Sequence, residues 1–273
     1  VVLANADHMQ VATSEESFAH LYKFINNNQS PRTTKIVSPD AANSYVAISG
    51  RGLTLGENIP LSLDSFNVYI FDPLTGKRKL IERNNNSSGA YTGWTRFAED
   101  GSFRFNITTG SYTEFEVRPR NGRRVYYFFE PAKRTNAGVY LRSFPSAGMI
   151  AGVLSQIPKD DHQTALVIFS SNSAVVAGRD TLAIDSIPLS TQVLAPASKT
   201  TISVFVFDDQ NDGVSTKSPI KSFSGLPFLG SADIRIPADA NGTMRIYFNG
   251  RTMVLPRRPS SDGVMIAVFA PIP

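Results

Sequence analysis

His8 is the residue of this chain best placed for acid–base chemistry. It lies in Asn5-Ala6-Asp7-His8-Met9-Gln10, between a short apolar run, Val1-Val2-Leu3-Ala4, and a segment with the marks of a helix start. An imidazole titrates near neutral pH, so in such a loop it can take a proton from a serine hydroxyl and later give it to a leaving group. The plainer reading is a ring that meets solvent or makes a structural hydrogen bond. Asp7 adjoins it but is not expected to orient it, because neighbouring side chains on one loop seldom present a carboxylate to the far ring nitrogen.

Other chemistry-bearing residues are more dispersed. His20 falls two positions after Phe18 on the expected helix and reads as solvent-facing; His162, in Lys159-Asp160-Asp161-His162, reads as a turn residue. Spacing alone does not join them into a zinc site. Asp208-Asp209-Gln210-Asn211-Asp212-Gly213 has oxygen donors at alternate positions and a glycine at the turn. Pro219, however, stands where an EF-hand requires its bidentate Glu, which leaves an acidic turn or a looser calcium loop. Cysteine is absent, which excludes disulfides, thiolate metal sites and a cysteine nucleophile. Arg118, Arg120, Arg123 and Arg124 cluster around Asn121-Gly122, a nucleic-acid patch or, more plainly, a solvated hairpin tip.

The element that must position His8 is short. Thr13 followed by Glu16 predicts a capping box, and Phe18, Leu21, Tyr22 and Ile25 then recur at helical spacing as one apolar stripe facing a core. Asn26-Asn27-Asn28 and Pro31 end this helix and begin a linker. A strand, loop and helix of some thirty residues are too few to fold alone. They read as the tail of a larger domain.

Beyond residue 33 the period changes to that of strands. Asp100-Gly101, Asn121-Gly122 and Asn249-Gly250 each separate strand-like runs and predict hairpins. Val264–Phe269, after Asp262-Gly263, reads as the closing strand. Tyr126, Tyr127, Phe128 and Phe129 run consecutively, so both faces of that strand need cover, from another domain or from an apolar ligand. Phe223–Leu229 reads as an apolar loop, either buried or in contact with substrate. At 273 residues, with 41% hydrophobic side chains and a net charge of +4, the chain suits about two folded domains. No run reaches the ~18 apolar residues of a membrane span, and neither an initiator Met nor a basic-then-apolar leader is present. The expectation is a soluble chain with a processed or truncated N-terminus.

The segment VVLANADHMQVATSEESFAHLYKFIN resembles the C-terminal end of the α/β-hydrolase domain of bacterial secreted lipases and esterases, in which the last strand, the His loop and the final helix follow in that order. VAISGRGLTL, FNVYIFDPLTGKRK and EDGSFRFNI resemble a transthyretin-like or carboxypeptidase-regulatory-like sandwich. SVFVFDDQNDGVSTKSPIKSFSGLPFLGSADIRIPA and SSDGVMIAVF are similar to the final β-domain of such lipases. The resemblance implies a mainly β chain: residues 1–30 as an α/β-hydrolase tail, 31–144 as a transthyretin-like sandwich, and 145–273 as a second sandwich or barrel. It implies His8 as catalytic base, no cofactor or metal, secretion, and an ester or lipid substrate. No Gly-x-Ser-x-Gly elbow occurs in the chain, so a partner segment carrying the nucleophile Ser and the acid is implied as well. The competing expectation is a non-enzymatic extracellular module that binds or self-assembles through its edge strands, as a homo-oligomer with no nucleic-acid partner.

Overall fold

The computed structural model describes residues 3, 6–7, 9–34, 45–85, 96–97, 100–120, 122–145 and 147–269. His8, the strand expected at residues 1–4 apart from Leu3, and Asn121 lie outside the described residues.

Two helices open the chain, α1 (Gln10–Thr13) and α2 (Glu15–Ile25). Eight strands follow: β1 (Tyr45–Thr54), β2 (Leu63–Phe71), β3 (Arg78–Asn85), β4 (Arg96–Phe97), β5 (Ser102–Thr108), β6 (Tyr112–Pro119), β7 (Val125–Phe129) and β8 (Asn136–Ser143). After a third helix, α3 (Gly148–Leu154), come β9 (Leu166–Ser170), β10 (Leu182–Ile184), β11 (Ile187–Pro188), β12 (Ser203–Phe207) and β13 (Leu229–Asp233). The chain closes with β14 (Asp239–Phe248), β15 (Arg251–Arg257) and β16 (Val264–Phe269).

The expected hairpins form where the turn chemistry allows. β14 and β15 meet at Phe248↔Arg251 across Asn249-Gly250, whose φ values of 47° and 80° are those of a type I′ turn. β4 and β5 pair around Asp100-Gly101, and β6 pairs with β7 across the 119–124 turn. At the expected boundary near Pro145, a short helix appears that strand periodicity did not indicate. α3 carries Leu154 into the core, with Ile157 buried just beyond it.

The chain is mainly β and packs sheet on sheet, as expected, but the two sheet-on-sheet packings share their middle layer. That layer is an eight-stranded sheet in the order β13-β12-β9-β16-β7-β6-β2-β3. A four-stranded sheet, β4-β5-β1-β8, covers one face. There Val46, Ile48, Phe103, Phe105 and Leu141 meet Phe66, Phe115, Val117 and Tyr127. Another four-stranded sheet, β11-β10-β14-β15, covers the opposite face, where Ile184, Met244, Ile246 and Leu255 meet Phe128, Leu166, Val206 and Met265.

The strand that joins them is β16. It runs parallel to β7, from Val264↔Val125 to Val268↔Phe129, and parallel to β9, from Met265↔Leu166 to Phe269↔Ser170. Val264, Ile266 and Val268 face one core while Met265, Ala267 and Phe269 face the other. The partner that the two-faced run Tyr126–Phe129 required is therefore supplied by residues 145–269 themselves. Gly263 leads into this seam: a Cβ there would stand 2.7 Å from the Arg124 carbonyl oxygen and 2.9 Å from the Tyr126 ring.

Where the covering sheet ends, the exposed part of the middle sheet is closed by charge. Glu114 on β6 is 1% exposed and accepts from Arg258 at 2.8 and 3.0 Å and from Arg78 at 2.5 Å. Arg124 bonds Asp262 at 2.6 Å, Tyr126 donates to Asp262 at 2.5 Å, and Tyr69 donates to Glu116 at 3.0 Å. Arg258 also lies 4.0 Å over the Tyr126 ring. Burial raises the Glu114 carboxyl above the ordinary Glu range, more than the two guanidinium groups lower it.

Because β16 belongs to both cores, heating should unfold the whole β body in one transition. Met265→Ala should lower that single transition by about 2–5 kcal/mol, read by calorimetry and denaturant melts; two transitions, of which one is unmoved, would contradict a shared seam. At Glu114 the sign runs toward acid. A carboxyl raised in the folded state costs stability at neutral pH and returns it as pH falls from the raised value toward the unfolded value of about 4.3. Glu114→Gln should flatten that rise, whereas Glu114→Ala, which strips two buried guanidinium groups of their acceptor, should cost about 3–5 kcal/mol.

Candidate functional site

The residues flanking His8 are fixed by backbone hydrogen bonds. Asp7 Oδ1 accepts from Met9 N and Gln10 N, both at 2.9 Å, and Gln10 Oε1 accepts from Asp7 N at 2.9 Å. This reciprocal Asp-x-x-Gln arrangement is a capping box six residues earlier than the Thr13–Glu16 box that the sequence suggested. It makes Thr13 part of α1, with its hydroxyl 2.9 Å from the Met9 carbonyl four residues back. The cap of α2 passes to Ser14, which accepts from Ser17 N at 3.1 Å, so the expected Thr13–Glu16 box is replaced.

The same side chains tie this element to the β body. Asp7 Oδ2 accepts from Ala174 N at 2.9 Å, and the Thr13 hydroxyl lies 3.0 Å from the Asn172 carbonyl oxygen. Ala174 and Asn172 belong to the loop that follows β9. Asp7 thus has both oxygens occupied by backbone N–H groups, which accounts for a carboxylate beside His8 without giving it a part in proton transfer.

The helix itself is not packed. Phe18, Leu21 and Ile25 of the apolar stripe are 46%, 57% and 67% exposed, Phe24 is 87% exposed, and no residue of α2 is buried. The spacing was legible; the core it was expected to face is not among the described residues. Asn27 and Asn28, at φ 50° and 66°, end the helix as expected, and Thr34 donates to Glu15 at 3.0 Å, folding the linker back onto the helix start.

The remaining candidates are dispersed over the surface and the core. His20 is exposed, 3.9 Å from Glu16 on the next turn, and His162 is exposed in its turn. Asp208 is fully buried: it accepts from Asp212 N at 3.2 Å, Gly213 N at 2.9 Å and Arg235 Nη1 at 3.1 Å. The Arg235 guanidinium supplies the positive charge there, and among the described residues no group of three or more acidic, His or Cys side chains could hold a metal ion. Arg118 and Arg120 remain exposed, but Arg123 turns inward. It donates to the carbonyls of Ile157 (2.9 Å), Pro158 and Ser260, with burial lowering its pKa to about 10. The apolar loop at 223–229 buries Phe223 and Leu226, Phe223 lying 4.8 Å from Phe205 between ring centroids. No helix is long and apolar enough to cross a membrane among the described residues.

Residues 44–145 match the family model described as lipase C-terminal domain, a span that β1 to β8 fill almost from end to end. Residues 152–269 match a second family model, also described as a C-terminal domain. The lipase match thus falls on the first β region, where a transthyretin-like sandwich was expected. No curated protein matches the sequence. Among solved structures, the shaft pilin spaA from Lactobacillus rhamnosus GG is 10% identical over 84% of this chain and 98% of that chain, with a TM-score of 0.25. The streptococcal ancillary pilin is 7% identical over 87% of this chain and 66% of that one, with a TM-score of 0.24. Likenesses of that size carry no argument. Over residues 44–145, then, the chain is similar to a lipase C-terminal domain.

If Asp7 is the anchor of the His8 loop, Asp7→Ala should free residues 9–25 without unfolding the β body. Amide exchange across α1 and α2 should rise at least tenfold while the main melting transition stays within the effect of an exposed substitution, about 0.5 kcal/mol. Unchanged exchange would remove the anchoring role.

Proposed function

We propose that this chain is the C-terminal portion of a secreted, lipase-like serine carboxylic-ester hydrolase. In this reading residues 1–30 complete an α/β-hydrolase domain, and His8 is its general base and acid. The reading is carried by the lipase C-terminal domain match over 44–145, which comes next in the chain after a helix whose apolar stripe is exposed and the linker that follows it. In an α/β-hydrolase that stripe packs against the central sheet, the partner surface that Phe18, Leu21 and Ile25 require.

The chemistry assigned to this chain is one step of three. A serine on the partner segment attacks the ester carbonyl, backbone amides there hold the oxyanion, and His8 takes the serine proton and passes it to the leaving alkoxide. Asp7, committed to Met9, Gln10 and Ala174, holds the loop, and the triad acid comes from the partner segment. The β body positions the catalytic domain and its apolar substrate, and the chain alone is inactive.

The test is active-site labelling of native material with a fluorophosphonate ester, read by denaturing mass spectrometry. A second polypeptide, or an upstream extension of this one, should take the label, and His8→Ala should reduce labelling by about a thousandfold or more. Native material consisting of this chain alone and unlabelled would overturn the hydrolase reading and leave the binding or assembly module.

A further inference from the structure

A cavity of about 600 Å³ opens between the outer four-stranded sheet and the middle sheet, under the loop 130–135 that carries the chain from β7 to β8. Its floor is apolar and comes from five strands: Ile48 of β1, Ile107 of β5, Phe115 of β6, Phe129 of β7 and Val139 of β8. Its mouth is basic. Lys133 and Arg134 line it and make no ion pair among the described residues, while the one carboxylate present, Glu130, is met by Arg251 at 2.5 Å. Lys133 is exposed and Arg134 half-buried, so both cations are at the rim while the hydrocarbon surfaces lie deeper.

Protein interiors are otherwise close-packed, and a hollow floored by Ile, Phe and Val satisfies water poorly. The volume is within the range of small-molecule sites, about 300–1,000 Å³, and the division into an apolar slot and a cationic lip selects among ligands. A sugar or peptide would leave polar groups unpaired on the floor, and a cationic amphiphile would meet like charge at the mouth. What fits is a hydrocarbon chain ending in an anion that accepts charge-assisted hydrogen bonds.

We infer that this cavity is a binding site for an unbranched aliphatic carboxylate, a free fatty acid, with its chain between the two sheets and its carboxylate held by Lys133 and Arg134. The site belongs to the β body and does not rest on ester hydrolysis. A fatty acid is also the acyl product that such a hydrolase would release.

Calorimetric titration of the full chain with decanoate tests this. Saturable one-to-one binding is expected, tightening roughly tenfold for every two methylenes added from octanoate to dodecanoate and weakening as salt is raised. Decyltrimethylammonium, of equal chain length and opposite charge, should bind at least tenfold more weakly. The exposed-rim double variant Lys133→Ala with Arg134→Ala should weaken decanoate about tenfold at unchanged melting temperature. Ala132→Trp, which puts an indole beside the cavity, should abolish binding; if it fails to fold, the rim variant decides alone. The inference is overturned if binding does not saturate, if the cationic analogue binds equally well, or if the rim variant binds as the parent does. It is also overturned if only phosphatidylglycerol vesicles, and not the free acid, are retained, since that would make the basic rim a membrane-surface contact. None of these outcomes depends on fluorophosphonate labelling, so this site and the hydrolase reading can fail separately.

Discussion

The insertion of β16 between β7 and β9 is the constraint on which the rest of the β body depends. A strand that is parallel to both neighbours cannot be reached through a tight hairpin on either side. It must be delivered by a long excursion, and here that excursion is the whole of residues 130–263. β16 is paired along both edges, with β7 over Val264–Val268 and with β9 over Met265–Phe269, and all six of its side chains are buried. The neighbours inherit the requirement. β7 needs apolar or well-partnered side chains on both faces, which is why Tyr126 and Phe128 point into one core while Val125 and Tyr127 point into the other. Tyr127 meets the demand on its polar tip by donating to the Arg142 carbonyl at 2.6 Å and accepting from Arg142 N–H, so that β7 and β8 are bonded across the sandwich.

The offset of the two covering sheets follows from the same seam. Each covers one face of the middle sheet over roughly half its width, and only the strands near β16 are covered on both. β6 shows the consequence most directly. On one face Phe115 and Val117 are sealed under the outer sheet; on the other, Glu114 and Glu116 stand where the opposite sheet has run out. Guanidinium groups cover them instead, with Arg78 coming from the adjacent edge hairpin and Arg258 from just beyond β15. Arg123 and Arg124 complete the arrangement from the turn before β7. By bonding Ser260 and Asp262 they fix the backbone immediately ahead of β16, and so its register. The sheet edges are less hospitable to further pairing. β3, at one end, carries Arg78 and Lys79, both exposed, charges of the kind that discourage edge-to-edge association.

What was legible in the sequence divides along the range of the interactions. The Asn249-Gly250 hairpin was readable because its φ values are a local requirement of two residues. The end of α2 at Asn26–Asn28 was readable for the same reason. Tyr126–Phe129 announced a strand with two covered faces, but the identity of the cover was a contact between segments far apart in the chain, which no periodicity encodes. The helix start was misplaced by one residue because two overlapping signals compete. Asp7 with Gln10 forms its own capping box, which draws Thr13 into the first turn and leaves Ser14 to cap the second. The paired glutamates of β6 gave no sequence signal either, since alternating Glu and apolar residues is also what a half-exposed strand looks like. For the proposed site, His8 and the helical stripe were visible as residue types and spacing, while the anchoring of Asp7 to Ala174 required the fold.

That anchoring gives the N-terminal element an asymmetry with mechanical content. One end, at Asp7 and Thr13, is hydrogen-bonded to the loop after β9, and that loop leaves a strand paired directly with β16. The other end, α2, offers only an exposed apolar stripe. A body that packed on α2 would therefore be held by hydrophobic contact at the helix and oriented by two polar contacts at the loop, rather than swinging on the linker at residues 26–34. On the proposed reading, the loop bearing the proton-transfer residue is positioned from two sides, by the catalytic sheet beneath α2 and by the β body through Asp7. Asp7 accepts three backbone N–H bonds, and Ala174 is buried where it makes one of them. Asp7 itself is half-buried, so the direction of the anchor is set by these three backbone donors together rather than by any one of them.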